Sequence, residues 1–210
     1  MRLIGMLDSP YVRRVAISLD LLGIAFGHES VSVFSNVKQF SAINPVVKAP
    51  TLVCDDGGVL MESSLILQFV EARSGLSLWS PDPLRLQHEF RAVGLALAAC
   101  EKGAQLVYER QLRPPAAQYA PWAERITAQM LAAFDALDNE VRLRPAVFAQ
   151  ADKQAAITSA VVWGFAQAML APQVAAADYP SLAELAQRLE QTAPFLKYPS
   201  AGPGVPGVTP

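Results

Sequence analysis

Hydrophobic positions follow two different patterns along this chain, and the change falls close to residue 78. Before it, short apolar and β-branched runs, typical of strands, alternate with stretches of helical spacing. After it, alanine, leucine and glutamine dominate and only helical spacing is found. The strands predicted in the first part are residues 3–6, 26–34, 51–54 and 59–61.

Local capping and turn signals place the helices of the first part. Ser9 is a predicted N-cap directly before Pro10, and Gly23 ends the helix at residues 10–22. Asp55-Asp56-Gly57-Gly58 has hairpin chemistry, and Ser63 is the predicted N-cap of a helix that Gly75 closes. The order β-α-β followed by β-β-α predicts a thioredoxin-like α/β domain at residues 1–77, with a four-stranded mixed sheet.

The second part is predicted to be all-helical. A proline-rich linker at residues 78–83 precedes a helical bundle domain at residues 84–199, and residues 200–210 form an irregular tail. The predicted helices are residues 84–111, 122–143 and 155–170, with a last helix that starts near residue 178. The third is nearly all apolar and is the predicted central helix. It lacks a Ser or Thr cap, so Asp152 is the candidate cap.

Composition excludes several classes of function. The chain has 210 residues, 52% of them hydrophobic and 17% charged, and its net charge of −2 without a Lys/Arg block argues against nucleic acid as a partner. No apolar run reaches the roughly 18 residues of a spanning helix, and no signal peptide is recognisable, so we expect a cytoplasmic protein with no membrane partner. Cys54 and Cys100 are predicted core groups, and His28 and His88 are assigned to the surface. We therefore expect no metal site.

The stretch Asn44-Pro45-Val46-Val47-Lys48-Ala49-Pro50 leads into the third strand. Pro50 cannot donate to a ladder, and the Ala49–Pro50 bond is a candidate for the cis isomer. The N–H and C=O of Ala49 would then be free to pair with an extended ligand. An ordinary loop entering a strand is the simpler interpretation of this stretch alone.

Several polar groups are expected to meet at one end of the predicted sheet. Helix N-termini suit anions, so Ser9 could donate a hydrogen bond to a thiolate and Ser63 could bind a carboxylate. Lys48 could pair with a second carboxylate. A small peptide with a central thiol and carboxylates at both ends would satisfy these groups.

The combined motifs resemble those of the glutathione transferase family. They are Ser-Pro-Tyr-Val-Arg-Arg-Val, Asn-Pro-Val-Val-Lys-Ala-Pro-Thr-Leu-Val, Asp-Asp-Gly and Leu-Met-Glu-Ser, followed by the proline-punctuated linker and the helical half. The resemblance covers residues 1 to about 199. It implies that Ser9 faces the glutathione sulfur, that Ala49 pairs with the cysteinyl part beside a cis-proline, and that a Glu-Ser pair binds the γ-glutamyl part. The implied glutathione-binding set is Ser9, Lys48, Ala49, Pro50, Glu62 and Ser63.

Plain structural roles remain open for several of these residues. Ser9 and Ser63 could be simple N-caps, Glu62 a surface charge and Lys48 a solvated lysine. Val47 stands where many family members have glycine, so the preceding loop could have a different shape. Position 9 is Ser, and no Cys is in reach, which disfavours mixed-disulfide chemistry.

The resemblance also implies a second-substrate pocket between the domains and a homodimer. The candidate lining residues, for which ordinary packing is the alternative, are Leu7, Pro10, Tyr11, Tyr108 and Gln111. The expected function is conjugation of glutathione, as co-substrate without a metal, to small, mostly apolar electrophiles. The alternatives are a non-catalytic glutathione-binding or regulatory protein, and a glutathione-dependent peroxidase or isomerase.

Overall fold

The computed structural model describes residues 1–202, 204 and 205, which form two compact units. The first contains residues 1–78 together with 193–202, and the second contains residues 79–192 together with 204 and 205. The remaining residues of the predicted tail, 203 and 206–210, lie outside the described part of the chain.

The first unit has the predicted thioredoxin-like α/β architecture. Its strands are β1 (Arg2–Ile4), β2 (Gly27–Glu29), β3 (Thr51–Val53) and β4 (Val59–Met61). Its helices are α1 (Pro10–Leu21), α2 (Val37–Ile43) and α3 (Ser63–Ser74). The sheet order is β2-β1-β3-β4, with β1 parallel to β2 and antiparallel to β3, and β4 antiparallel to β3. The predicted four-stranded mixed sheet is therefore confirmed.

Strand β2 is shorter than the predicted residues 26–34, and that prediction was wrong at its C-terminal end. The strand stops at Glu29, whose carbonyl accepts a hydrogen bond from Val31 N at 3.0 Å. The Ser32 hydroxyl then accepts from the N–H groups of Phe34 and Ser35, which turns the chain. Residues 35–43, for which the sequence predicts a loop with one helical turn, contain the seven-residue helix α2.

Burial of Phe40 accounts for the position of α2. Its side chain is fully buried in a cluster with Ile4 and Val31. Ile43 of the same helix also packs on this cluster, but two apolar residues on a helix of two turns form no periodic stripe in the sequence. The sequence therefore indicated one helical turn here but not the full length of α2.

An additional short helix, α8 (Ala193–Lys197), packs with the first unit, although residues 84–199 were predicted to form the helical domain. Arg13 of α1 is the reason. Its guanidinium donates to the carbonyl of Tyr198 at 2.8 Å and lies 5.1 Å from the centre of the Phe195 ring. Lys197 also pairs with Asp20 of α1. These contacts return the end of the chain to the first unit.

The second unit is all-helical, as predicted. Its helices are α4 (Pro83–Gln111), α5 (Ala120–Leu143), α6 (Gln154–Leu170) and α7 (Pro180–Glu190), with 3₁₀ turns at Pro115–Ala117, Pro145–Phe148 and Ala176–Asp178. Helix α6 is the most buried, which agrees with its apolar sequence. Lys153 occupies its N-cap position without a side-chain cap bond, so the proposed cap by Asp152 is not made.

Gly103 allows α4 to approach α6 closely. A Cβ atom at this position would lie 2.8 Å from Leu170 Cδ1 and 3.3 Å from Met130 Sδ. Both distances are shorter than an ordinary contact, so only glycine fits without a shift. No helix in the described residues combines the length and the apolar character needed to cross a membrane.

Candidate functional site

Three chain segments meet at one end of the sheet of the first unit. Ile4, the last residue of β1, pairs with Thr51, the first residue of β3, and Thr51 pairs with Met61, the last residue of β4. The segments after β1, before β3 and after β4 are therefore neighbours. They carry Ser9, the Ala49–Pro50 pair and the Glu62–Ser63 pair, so the expected meeting of these residues at one sheet end is observed.

Gly5 brings the first two of these segments together. It has a φ of 138°, and a Cβ atom there would lie 2.6 Å from Val12 Cγ2 and 3.2 Å from Ala49 Cβ. A side chain at residue 5 would push the Ala49 loop and the first turn of α1 away from β1. Sequence reasoning missed this role, although a glycine directly after a strand was a signal for it.

The Ala49–Pro50 peptide bond is cis, the isomer predicted from the sequence. Pro50 is buried and Ala49 is half-buried. Within residues 1–202, 204 and 205, the backbone N–H and C=O of Ala49 have no hydrogen-bond partner. Ala49 therefore presents one donor and one acceptor in the manner of an open strand edge.

Val47 holds a conformation that usually favours glycine. Its φ is 52°, in the left-handed region that a β-branched residue rarely adopts. The side chain packs on the buried cluster of Ile4, Val31 and Phe40. The loop thus makes a left-handed turn in spite of its valine, and a shape different from that of family members stays a prediction.

Ser9 occupies the N-cap position of α1 without making the usual cap bond. Its backbone is extended, with φ −73° and ψ 119°, and its carbonyl accepts from Arg13 N at 2.9 Å. The half-buried hydroxyl has no hydrogen-bond partner among the described residues. It is available to donate to a group placed at the start of α1.

The N-cap of α3 is Glu62, and the prediction that Ser63 caps this helix was wrong by one residue. Glu62 has a φ of 69°, and its Oε1 accepts from Ser64 N at 3.0 Å and from the Ser63 hydroxyl at 3.2 Å. A non-glycine residue with such a φ is a strained feature that tends to occur at functional sites. Its other carboxylate oxygen, Oε2, has no partner in the part of the chain that the structure describes.

The buried guanidinium of Arg14 lies next to the first residue of α3, and this contact was not predicted from the sequence. Arg14 of α1 is 2% exposed, and its Nη1 donates to the Ser63 hydroxyl at 3.4 Å. Ser63 is itself buried, so α1 and the first residue of α3 are linked inside the unit. The adjacent Arg13 and Arg14 lie within the apolar part of α1, and charged residues at such positions were a signal for buried cations.

Lys48 is exposed, and its ammonium group has no partner among the described residues. Its backbone carbonyl, in contrast, accepts from the Thr51 hydroxyl at 2.7 Å. The main chain at residue 48 is fixed while the side chain remains open to pair with an anion.

The five residues expected to line a second-substrate pocket belong to different units. In the first unit, Pro10 is buried while Leu7 and Tyr11 are half-buried. In the second, Tyr108 and Gln111 are exposed on the last turns of α4. That these five line one pocket stays a prediction.

The cysteines and the histidines differ in part from their predicted surroundings. Burial, together with the nearby Asp56 carboxylate, raises the pKa of the half-buried Cys54 thiol, which lies just after β3 rather than within it. Both histidines were expected at the surface, but both are half-buried. His28 Nε2 lies 2.8 Å from the Gly5 carbonyl oxygen. No cluster of His, Cys, Asp or Glu able to hold a metal occurs in residues 1–202, 204 and 205.

Comparison with known proteins gives matches of two kinds in sequence. Residues 3–77 match the family model described as the N-terminal domain of glutathione S-transferase. The uncharacterised GST-like protein YibF of Escherichia coli is 30% identical over 119 residues, which are 56% of this chain and 58% of that protein. Glutathione S-transferase U4 of Arabidopsis thaliana is 26% identical over 89 residues, 42% of this chain and 38% of that protein. The chain thus matches about half the length of its curated relatives or less.

Solved structures match over nearly the whole chain. A glutathione S-transferase from Methylobacterium radiotolerans, in complex with glutathione sulfonate, has a TM-score of 0.83 at 26% identity and covers 99% of each chain. A glutathione transferase family member from Pseudomonas fluorescens, with bound S-(propanoic acid)-glutathione, has a TM-score of 0.77 at 25% identity, over 94% of this chain and 98% of that one. The comparisons thus show that residues 3–77 are similar to the glutathione S-transferase N-terminal domain and that the chain shares the fold of these solved structures.

Proposed function

We propose that this protein is a glutathione transferase that conjugates the glutathione thiolate to small, largely apolar electrophiles. The observation that carries the proposal is the open backbone of Ala49 at the same sheet end as the unengaged Ser9 hydroxyl. Solved structures of similar fold hold glutathione or its derivatives, which supports glutathione as the ligand.

The Ala49 backbone is proposed to pair with the cysteinyl residue of glutathione. An extended peptide gains one N–H···O bond to the Ala49 carbonyl and one to its N–H, as an added strand would. This pairing fixes the cysteinyl Cα, and hence its thiol, close to the start of α1. The buried Pro50 and the Gly5 contact keep the Ala49 edge in place.

Ser9 is proposed to activate the thiol. Its hydroxyl donates a hydrogen bond to the sulfur, and the N-terminus of α1 adds a favourable dipole, so the thiolate is stabilised relative to the thiol. The thiol proton passes to solvent. The sulfur electron pair then forms a bond to the electrophilic carbon, and the leaving group departs with its bonding pair.

The two ends of glutathione are proposed to bind groups that are open in the first unit. Glu62 Oε1 holds the start of α3, which leaves Oε2 to accept from the γ-glutamyl ammonium group. The γ-glutamyl carboxylate accepts from backbone N–H groups at the N-terminus of α3, where Ser63 is the first residue. The Lys48 ammonium pairs with the glycine carboxylate in solvent, a contribution of at most about 1 kcal/mol.

Substitution of Ser9 tests the proposed chemistry. We expect Ser9→Ala to lower kcat/KM for conjugation about a hundredfold, the effect of losing one preorganised donor, while retention on immobilised glutathione changes little. Ser41→Ala is the matched control, because its hydroxyl bonds only to the Lys38 carbonyl of its own helix. Equal turnover of Ser9→Ala and the wild type would remove Ser9 from the mechanism. Retention of glutathione without turnover across an electrophile panel would identify a binding protein instead.

A homodimer is part of the proposal. Four large apolar side chains on β4, on α3 and just after α3 are exposed, namely Val59, Leu65, Phe69 and Leu76. Leu65 and Phe69 are four residues apart and so lie on the same face of α3, and an exposed apolar face favours a protein–protein contact. Sedimentation velocity at micromolar concentration is expected to give a dimer, and Leu65→Glu is expected to give a monomer. A wild-type monomer would contradict the proposal.

A cytoplasmic location is also proposed. Cys54 and Cys100, both among the described residues, form no disulfide with each other, as expected for a reducing compartment.

A further inference from the structure

Met61, the last residue of β4, contacts the loop that carries the Ala49 edge. Its Sδ accepts a hydrogen bond from Asn44 Nδ2 at 3.4 Å. Sulfur is a weak acceptor, so this bond is sensitive to a change in the chemistry of the thioether. Met61 is also directly followed by Glu62, the N-cap of α3 with a positive φ. One methionine is thus linked to two of the three segments that meet at this end of the sheet.

The amide of Asn44 has no spare donor that could replace this contact. Its two N–H groups serve Met61 Sδ and Thr51 Oγ1, the second at 2.8 Å, and its Oδ1 accepts from Val46 N at 3.0 Å. Asn44 is 2% exposed, so water cannot readily take the place of a lost partner. Because the amide is planar, a movement forced at one of these bonds is passed to the other two.

Met61 lies at the edge of the sheet, where it is open to a small oxidant. Strand β4 is the outer strand in the order β2-β1-β3-β4. Met61 keeps part of its surface in solvent, whereas its cross-strand partner Thr51 is fully buried. Met130, in contrast, is fully buried in the second unit. Exposure to oxidants and a structural role of the sulfur therefore coincide at Met61.

An oxygen added to this sulfur does not fit the observed hydrogen bond. An S–O bond of about 1.5 Å and an N–H···O distance of about 2.9 Å, at a bent angle, need an N···S separation of roughly 3.9 Å. The observed separation of Asn44 Nδ2 and Met61 Sδ is 3.4 Å. The amide must therefore move if it donates to the new oxygen. If the oxygen points away, the sulfoxide sulfur carries a partial positive charge and no longer accepts.

The Asn44 amide is connected to the Ala49 edge through one hydroxyl. Thr51 Oγ1 accepts from Asn44 and donates to the Lys48 carbonyl at 2.7 Å. Lys48 directly precedes Ala49, whose open N–H and C=O are proposed to pair with glutathione. A shift of the amide therefore displaces the backbone on which this pairing depends.

We propose that Met61 is a site of reversible oxidation, at which a hydroperoxide lowers the affinity of the protein for glutathione. The sulfur electron pair attacks one peroxide oxygen, the O–O bond breaks and the S–O bond forms, while the proton of the attacked oxygen passes to the leaving oxygen. Sulfur is oxidised to the sulfoxide, and the peroxide is reduced to water or an alcohol. Methionine sulfoxide reductases reverse this change. The effect on glutathione rests on the proposed function, but the oxidation and its effect on the loop do not.

Treatment with hydrogen peroxide tests this site, with dithiothreitol added afterwards to restore reversibly oxidised thiols. Peptide mass spectrometry is expected to find one added oxygen on Met61. Calorimetric titration is expected to show a rise of about fivefold in the Kd for glutathione, the equivalent of one hydrogen bond. Methionine sulfoxide reductases for both epimers should restore the affinity. If Met61 stays unoxidised in the native protein, or if its oxidation leaves the Kd unchanged, the proposal is overturned.

Met61→Leu identifies the sulfur responsible, because leucine has a similar volume and cannot be oxidised. The Kd of this variant is expected to be the same before and after peroxide. Met6→Leu is the matched control, since Met6 is another half-buried methionine of the first unit, and this variant should lose affinity as the wild type does. Equal loss in Met61→Leu, or full protection in Met6→Leu, would contradict the proposal. Met61→Ile replaces the leucine variant if circular dichroism shows that it is unfolded.

Urea unfolding separates this proposal from the proposed function. Oxidation is expected to lower the urea midpoint of the wild type but not that of Met61→Leu, because the Asn44 amide loses buried bonds within the first unit. A midpoint that falls in this way, in a protein that does not bind glutathione even before treatment, would contradict only the proposed function. Conjugation at subsaturating glutathione that is unaffected by oxidation of Met61 would contradict only the present proposal.

Discussion

Asn44 and Thr51 close the loop that carries the Ala49 edge. Asn44 Nδ2 donates to Thr51 Oγ1 at 2.8 Å, and the same hydroxyl donates to the Lys48 carbonyl at 2.7 Å. Both residues are buried, with exposures of 2% and 0%. The Thr51 hydroxyl thus links the two ends of the loop, while the Ala49 backbone has no hydrogen-bond partner among the described residues.

Replacement of Thr51 by Val removes this hydroxyl with little change in shape. We expect a loss of about 1–3 kcal/mol in the free energy of unfolding, because the Asn44 amide and the Lys48 carbonyl lose a buried partner. We also expect weaker glutathione binding, since the position of Ala49 is no longer fixed. Urea unfolding and calorimetric titration with glutathione measure the two effects.

Thr127→Val is the control for that substitution. The Thr127 hydroxyl donates only to the Ala123 carbonyl of its own helix, at 2.7 Å, and its loss is expected to leave glutathione affinity unchanged. If Thr51→Val binds glutathione as tightly as the wild type, the loop does not depend on this hydroxyl for its ligand-binding shape.

The Ser9 hydroxyl is expected to contribute little to folding. Since it makes no cap bond, Ser9→Ala should change the free energy of unfolding by less than about 0.5 kcal/mol. Asp82→Ala is the comparison, because Asp82 accepts from Leu84 N at 3.2 Å and caps α4, so its loss should cost about 1 kcal/mol. Equal losses in the two variants, measured by urea unfolding, would show that Ser9 acts as an ordinary cap.

Patterns with strong periodicity predicted most of the fold. The helix 84–111 and the strand 59–61 were located to within a residue, because apolar spacing, Asp-Gly turn chemistry and proline breaks agree there. The full length of α2 and the end of β2 were missed, since burial of Phe40 and the Ser32 hydroxyl determine them. Single tertiary contacts of this kind leave no pattern in the sequence.

The residues of the candidate site were predicted from the sequence, but the residues that hold them in position were not. The relevant sheet end follows from chain order alone, and Ser9 and Ala49 were placed there correctly. Gly5 and Arg14 were not recognised, because their roles depend on which atoms face them across the fold. The return of Tyr198 to Arg13, 185 residues away, is equally beyond local reasoning.

Two glycines of α4 are expected to respond oppositely to alanine. Gly94 is exposed, and a Cβ atom at this position would meet no other atom within 4 Å, so Gly94→Ala should stabilise the protein by up to about 1 kcal/mol through helix propensity. Gly103→Ala should destabilise it by about 1–3 kcal/mol, because the added methyl group lies 2.8 Å from Leu170 Cδ1. Thermal unfolding distinguishes the two. If both substitutions stabilise the protein, α4 and α6 can move apart at Gly103 without a loss in the free energy of unfolding.

Ionisation of the Tyr179 phenol is expected to lower the stability of the second unit at alkaline pH. Its ring packs against Phe134 and Trp163, with ring centres 5.9 and 5.8 Å away. Burial, followed by the Asp135 carboxylate, raises its pKa to about 12. Because the folded protein disfavours the ionised phenol, this contribution to stability is complete below about pH 10 and is lost as pH rises toward 12.

Tyr179→Phe is therefore expected to have a flatter pH profile than the wild type. Between pH 9 and 12 the wild type should lose about 2 kcal/mol more of its free energy of unfolding than the variant, which has no phenol to ionise at this position. Urea unfolding at half-unit steps of pH measures the difference, in which other titrating groups cancel. Tyr198→Phe is the matched control, because burial also raises the pKa of Tyr198 but to a smaller extent, so its profile should follow the wild type more closely. Parallel profiles of the wild type and Tyr179→Phe would show that the phenol ionises as readily in the folded protein as in the unfolded chain.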